Sequence, residues 1–248
     1  TTYNQMARAY TLMTKQKEAL MYIDKAMAEE FTQNDLILKA KLITLKADNH
    51  FRLNMLDLSK KECLEALDLL KNENTNPKML RQKLIILTIL SKNAFLKEDF
   101  KTSLKYENAK MEILKKFPEE EVVTRLSEMY QGKGYAFLKT KQLDSAYYYF
   151  NKGLELKKKH KDPVLFSEYI ALGDYYDIIK NKEKALEYYL KTAENLKSVD
   201  TDDPNLVEVN KTISEIYGEM GQKEKEKAYL KKYTEKNNKL QQTTKEGT

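Results

Sequence analysis

The segment YQGKGYAFLKTKQLDSAYYYFNKG, residues 130–153, carries a ladder of large and small residues: Tyr130, Gly134, Phe137, Ala146, Phe150 and Gly153, at successive intervals of 4, 3, 9, 4 and 3. Intervals of three and four put side chains on one face of a helix, and the interval of nine interrupts that face. The segment therefore reads as two antiparallel helices joined by a short turn. Gly134 and Ala146 let the helices approach closely, while Phe137 and Phe150 fill the space on either side. Within YYYF, the ladder makes Phe150 the large rung of the second helix. Tyr147 is expected beside it against Phe137, with Tyr148 and Tyr149 pointing to the next repeat or the outer surface.

The same spacing returns as Tyr169, Gly173, Tyr176, Ala185, Tyr189 and Thr192, and near the start as Tyr3, Ala7, Tyr10, Ala19, Ile23 and Ala26. Weaker copies are Ile43, Ala47, His50, Ser59, Cys63 and Ala66, then Ile86, Leu90, Asn93, Thr102, Tyr106 and Ala109. A degenerate sixth runs Asn210, Ser214, Tyr217, Glu226, Leu230 and Tyr233. The fourth rungs stand 39 to 44 residues apart. A helix pair cannot bury its apolar stripe alone, so neighbouring pairs must supply the rest of the core. About twelve helices and no strands are expected. Pro77, Pro118, Pro163 and Pro204 lie between repeats, where proline can begin a helix but not continue one.

This ladder resembles the tetratricopeptide repeat (TPR), with a longer period than the standard motif. The resemblance implies an all-α, right-handed TPR superhelix of about six helix pairs. Its boundaries fall at about 1–34, 40–74, 82–117, 126–160, 166–198 and 206–233. Residues 1–233 then form the array, and 234–248 a polar helix end or linker. Glu226, standing where a small residue belongs, suits a polar terminal cap.

The 248 residues include 44 basic and 38 acidic side chains, a formal charge of +6, spread through the chain. Interspersed charge of this kind reads as solvated helix surface, so no direct nucleic-acid binding is expected. KKKHK (157–161) reads as a basic helix end. No apolar run is long enough to insert in a membrane. The opening Thr1-Thr2-Tyr3 reads as an excised or processed chain. The expected compartment is cytoplasmic, or periplasmic if the full-length protein carries a signal or membrane segment.

Catalytic chemistry finds little support in this composition. His50 and His160 are far apart in sequence. His50 occupies a core rung, as does Cys63, the only cysteine, so neither a metal site nor a cofactor is expected. Gly132 and Gly134 fall inside a helix with no strand before it, which argues against a phosphate loop. The chain is read as a non-enzyme.

Function is therefore sought on the surface. In TPR arrays the first helix of each pair, helix A, lines the binding groove. Carried onto this chain, the resemblance assigns Arg8, Asp48, Phe51, Arg52, Leu87, Phe95, Tyr135, Lys139, Asp174 and Ile178 to that groove, with a protein or peptide as partner. Of the aromatic residues in the fourth repeat, Tyr135 is the preferred contact, in place of YYYF. The paired-lysine and asparagine pattern that clamps chaperone tails does not recur here. The final stretch EIYGEMGQKEKEKAYLKKYTEKNNKLQQ resembles the last repeat of Bacteroidetes-type signalling proteins, although Asn237-Asn238 stands where Asp-Ser is usual. It implies the sensory or dimerising region of a regulator, with a possible homodimer. A free-standing adaptor or assembly scaffold is the alternative.

Overall fold

The computed structural model describes residues 2–72, 75–199 and 203–246. The chain divides into two compact units, Thr1–Glu119 and Glu120–Thr248. The N-terminal unit contains α1 (Thr2–Leu12), α2 (Gln16–Ala28), α3 (Glu30–Asn34), α4 (Leu36–Arg52), α5 (Leu56–Leu69), α6 (Pro77–Leu96) and α7 (Phe100–Leu114). The C-terminal unit is formed by α8 (Glu119–Lys139), α9 (Leu143–Lys159), α10 (Phe166–Ile178), α11 (Lys182–Val199), α12 (Asn205–Glu219) and α13 (Lys223–Glu246). Among the described residues there is no strand. Six pairs account for all helices except α3, a five-residue turn that the ladder did not anticipate.

The starts of α4, α6 and α7 follow capping chemistry. Asp35 accepts a hydrogen bond from Leu38 N, and Asn76 caps α6, whose first residue is Pro77. Asp203 Oδ1 accepts from Asn205 N at the start of α12, whereas Asp202 lies outside the described residues. Each pair then turns in the same way. Thr14, Asn54, Glu98, Lys141, Lys180 and Gly221 all have φ between 56° and 72°. The residue after each one donates its N–H to a carbonyl five residues earlier, in bonds such as Met55 to His50 (2.8 Å) and Gln142 to Phe137 (2.9 Å). This is a Schellman-type helix end, and it supplies a ruler for the repeat that does not depend on side-chain hydrophobicity.

Measured from that turn, five ladders keep their register and the third moves by one residue. Its rungs are Leu87, Ser91, Ala94, Ser103, Glu107 and Lys110, instead of Ile86 through Ala109. Ser91 Oγ lies 3.0 Å from Ser103 Oγ, the close approach expected of the two small rungs. Glu107 and Lys110 are buried and joined by a 2.9 Å ion pair. Tyr106 and Ala109 had looked like better rungs because burying a charge is costly, but a pair buried together offsets much of that cost.

Rungs and the apolar residues beside them form the cores together. In the N-terminal unit, Ile43, Ala47, Cys63, Ala66, Leu70, Ile86 and Leu90 cluster, with Ala7, Ile23, Ala26 and Leu42 packed at its first pair. In the C-terminal unit, Phe150, Leu172, Tyr189, Leu196, Leu206 and Ile213 join one cluster. Here a Cβ on Gly134 would stand 2.4 Å from Phe150 Cε1, and one on Gly173 2.8 Å from Tyr189 Cε1, so these two contacts require glycine.

YYYF resolves differently from the expectation. Tyr149, not Tyr147, stacks on Phe137, with ring centroids 5.5 Å apart and planes inclined by 6°. Tyr147 instead reaches Tyr175 and Tyr176 of the next repeat. The Tyr149–Phe137 stack recurs at equivalent places as Tyr10–Tyr22 and Tyr176–Tyr188, and as the more tilted Tyr217–Tyr229. A lysine lies over the second ring in all four of these pairs: Lys133 over Tyr149, Lys25 over Tyr22, Lys191 over Tyr188 and Lys232 over Tyr229. KKKHK is likewise not all surface. Lys157 is buried, donating to Val164 O (2.7 Å) and standing 3.3 Å from Glu168 Oε2. Finally, α13 remains helical through residues 234–246.

Candidate functional site

Within the N-terminal unit, hydrogen bonds hold the A helices α1, α4 and α6 side by side. Asn49 Nδ2 donates to Thr11 Oγ1 (2.9 Å), and Gln82 Nε2 donates to Thr44 Oγ1 (2.8 Å). In the C-terminal unit, α8 and α10 are tied by Gln131 and Ser127, both donating to Glu168 Oε1, and by Tyr135. The residues expected in the groove therefore separate into those the fold uses and those it leaves open.

Tyr135 belongs to the first group. Its hydroxyl donates to Asp174 Oδ2 (2.7 Å), and its ring meets Phe150 edge to face at 5.0 Å. Tyr189 donates to the other oxygen of Asp174 (2.6 Å), so one carboxylate joins α8, α10 and α11. Burial, reinforced by the Asp174 charge, pushes both phenols well above the ordinary tyrosine range. Tyr135 and Asp174 thus cross-link repeats. Leu87 is 5% exposed and lies in the core, as the corrected register requires. Phe51 is half-buried against the same core, and Phe95 packs edge to face on Phe100 at 5.3 Å. Asp48 pairs with Arg52 (2.8 Å) one turn along α4.

Arg8 and Lys139 are exposed, and so is Ile178, at 46%. The one-residue shift moves the outward positions of α6 from Leu87 and Phe95 to Thr88 and Leu96, and by the same count brings Ile85 and Lys92 outward. Ile85 and Leu96 are 44% and 55% exposed, and Leu12 on α1 is 83% exposed. The sequence did hold a signal for these residues. Asp99 is a strong N-cap type, it caps Thr102 N (3.1 Å), and counting from it gives the right register.

The titratable core residues serve packing. His50 Nδ1 lies 2.7 Å from Glu62 Oε2, both buried, at the place where other repeats stack two aromatic rings. Burial pushes the Cys63 thiol up to about 12, so it is protonated at neutral pH and a poor nucleophile. Among the described residues no group of three His, Cys, Asp or Glu is placed to hold a metal ion. Among them, too, no helix is long and apolar enough to cross a membrane.

Residues 127–160, the fourth pair, match the tetratricopeptide repeat family model. No curated protein matches the chain in sequence. Solved structures resemble it over nearly its whole length. BtubC from P. vanneervenii is 12% identical with a TM-score of 0.70, over 97% of this chain and 93% of that one. A Rap protein complexed with competence and sporulation factor is 14% identical with a TM-score of 0.68, over 97% and 75%. A signal-transduction ATPase with a tetratricopeptide repeat sensor, from Pyrococcus horikoshii, is 18% identical with a TM-score of 0.74. That match covers 93% of this chain but 34% of the other. At these identities the likeness is one of fold.

Proposed function

We infer that this tetratricopeptide-repeat protein is a protein- or peptide-binding module and, more narrowly, the sensory or dimerising region of a bacterial signalling protein or transcriptional regulator. The observation that carries binding is the outward face of the A helices. In the N-terminal unit, Leu12, Ile85 and Leu96 are large apolar side chains that the core does not use, on helices that also carry exposed Arg8, Arg52 and Lys92; in the C-terminal unit, exposed Ile178 on α10 and Lys139 on α8 are the corresponding residues. Apolar anchors flanked by charges are what a bound segment needs for affinity and direction. The narrower reading draws on fold likeness to a signalling ATPase's repeat sensor and to a Rap protein complexed with a factor. An adaptor or assembly scaffold is the alternative.

Selection of a random peptide library displayed on phage against the immobilised chain tests the binding role. The expected result is a family of related peptides whose capture falls at least about tenfold when Arg52→Ala and Ile85→Asp, both in the N-terminal unit, are combined. Recovery of no related peptides by a chain with its full helical signal overturns the reading. Reading the gene past the codon for Thr248 separates the two forms. An encoded effector segment favours the regulator, and an immediate stop favours the adaptor.

A further inference from the structure

Basic charge in the N-terminal unit is segregated by helix. Its A helices α1, α4 and α6 carry nine lysines or arginines and a single carboxylate, Asp48. Its B helices α2, α5 and α7 carry seven cations and eight carboxylates. In the C-terminal unit the A helices α8, α10 and α12 have the opposite balance, with four cations and ten carboxylates. The B helices of that unit, α9, α11 and α13, carry sixteen cations and nine carboxylates, so a positive excess lies there too, but only in the N-terminal A helices is it set against a single acid.

Part of that excess has no use inside the fold. Arg8, Lys41 and Lys92 are exposed and have no carboxylate partner among the described residues, and the one acid of these helices is already held by Arg52. A bound anion would supply Arg8, Lys41 and Lys92 with a counter-charge that the described residues do not. The cations share their helix faces with aliphatic groups at helical intervals. Leu12 follows Arg8 by one turn, and Ile85, Lys92 and Leu96 form one stripe on α6.

Resting on the binding role above, we propose that the A-helix face of the N-terminal unit takes an acidic peptide segment bearing aliphatic side chains. Its carboxylates lie along Arg8, Lys41 and Lys92, and its aliphatic groups against Leu12, Ile85 and Leu96. A nucleic acid fits less well, because exposed aliphatic groups offer no stacking and the phenylalanines of these helices are engaged, Phe51 with the core and Phe95 with Phe100.

The experiment uses two synthetic peptides of about twelve residues with the same leucines, one with glutamates and the other with lysines at the remaining charged positions. Each is titrated against the full chain by fluorescence anisotropy at low and high salt. The glutamate peptide is expected to bind at least about tenfold tighter, with the advantage shrinking in salt. Combining Arg8→Glu, Lys41→Glu and Lys92→Glu is expected to reverse the preference without loss of helical signal. Combining Leu12→Ser, Ile85→Ser and Leu96→Ser is expected to weaken binding of the glutamate peptide while leaving its salt dependence unchanged.

A preference for the lysine peptide, or indifference to the three charge reversals, overturns the proposal. So does equal affinity for a single-stranded oligonucleotide of the same charge, or self-association of the chain that excludes the peptide. If phage selection yields neutral or basic binders while the glutamate peptide fails, the charge assignment falls and the binding role stands. If selection yields nothing, the binding role itself has failed.

Discussion

At the residue scale, Asp174 shows how a position can look open in sequence and be committed in space. Each of its carboxylate oxygens accepts one tyrosine hydroxyl, from Tyr135 and from Tyr189. Tyr135→Phe leaves one oxygen without its donor in a partly desolvated place. A loss of about 1.5–3 kcal/mol is expected in urea unfolding, in line with hydrogen bonds to charged groups. The same cluster sets an alkaline limit. The folded phenols keep their protons to higher pH than those of the unfolded chain, so above about pH 10 the native state binds more protons. Stability is accordingly complete below that value and falls as pH rises through it, which urea midpoints at two alkaline pH values will register. Neither the shared carboxylate nor the Glu107–Lys110 pair was legible from residue types. A charged residue in sequence reads as surface until a partner is placed beside it.

At the scale of elements, the shared turn between A and B helices is the most regular feature of the chain, and its residues vary most. Five of the six left-handed positions are Thr, Asn, Glu or Lys, and only the sixth is glycine, Gly221. Left-handed backbone strains a residue with a Cβ, and glycine removes that strain. Lys141→Gly and Glu98→Gly should each raise stability by about 0.5–1 kcal/mol, whereas Gly221→Ala should lower it by a similar amount. Thermal melts of the three variants give the comparison. Where the helices of a pair meet, Gly134→Ala is expected to cost about 1–3 kcal/mol, because the new Cβ runs into a Phe150 ring with no room to move. This element logic also accounts for the misplaced third ladder. Hydrophobic periodicity favoured Tyr106 and Ala109, and the cap at Asp99 held the better information.

At the scale of the molecule, each compact unit has its own core, and in repeat proteins stability is carried largely by neighbouring pairs. Leu172→Ala, at a fully buried site of the C-terminal unit, should lower amide-exchange protection in α9 through α12 by about 2–5 kcal/mol. Protection in α2 through α6 should be largely retained, and mass-resolved exchange of the intact chain will tell the two regions apart. The charge asymmetry also belongs to this scale, because along the sequence lysines and glutamates alternate too evenly to show it. What the sequence by itself determined was the helical class, the paired repeat and the small-against-large contacts, since spacing along a helix fixes which side chains share a face. Only the tertiary structure decided the partners of the tyrosines, the burial of the Glu107–Lys110 pair and which cations are left without a carboxylate. Those depend on which residues from distant parts of the chain come within a few ångströms of one another, and hydrophobicity alone does not encode that.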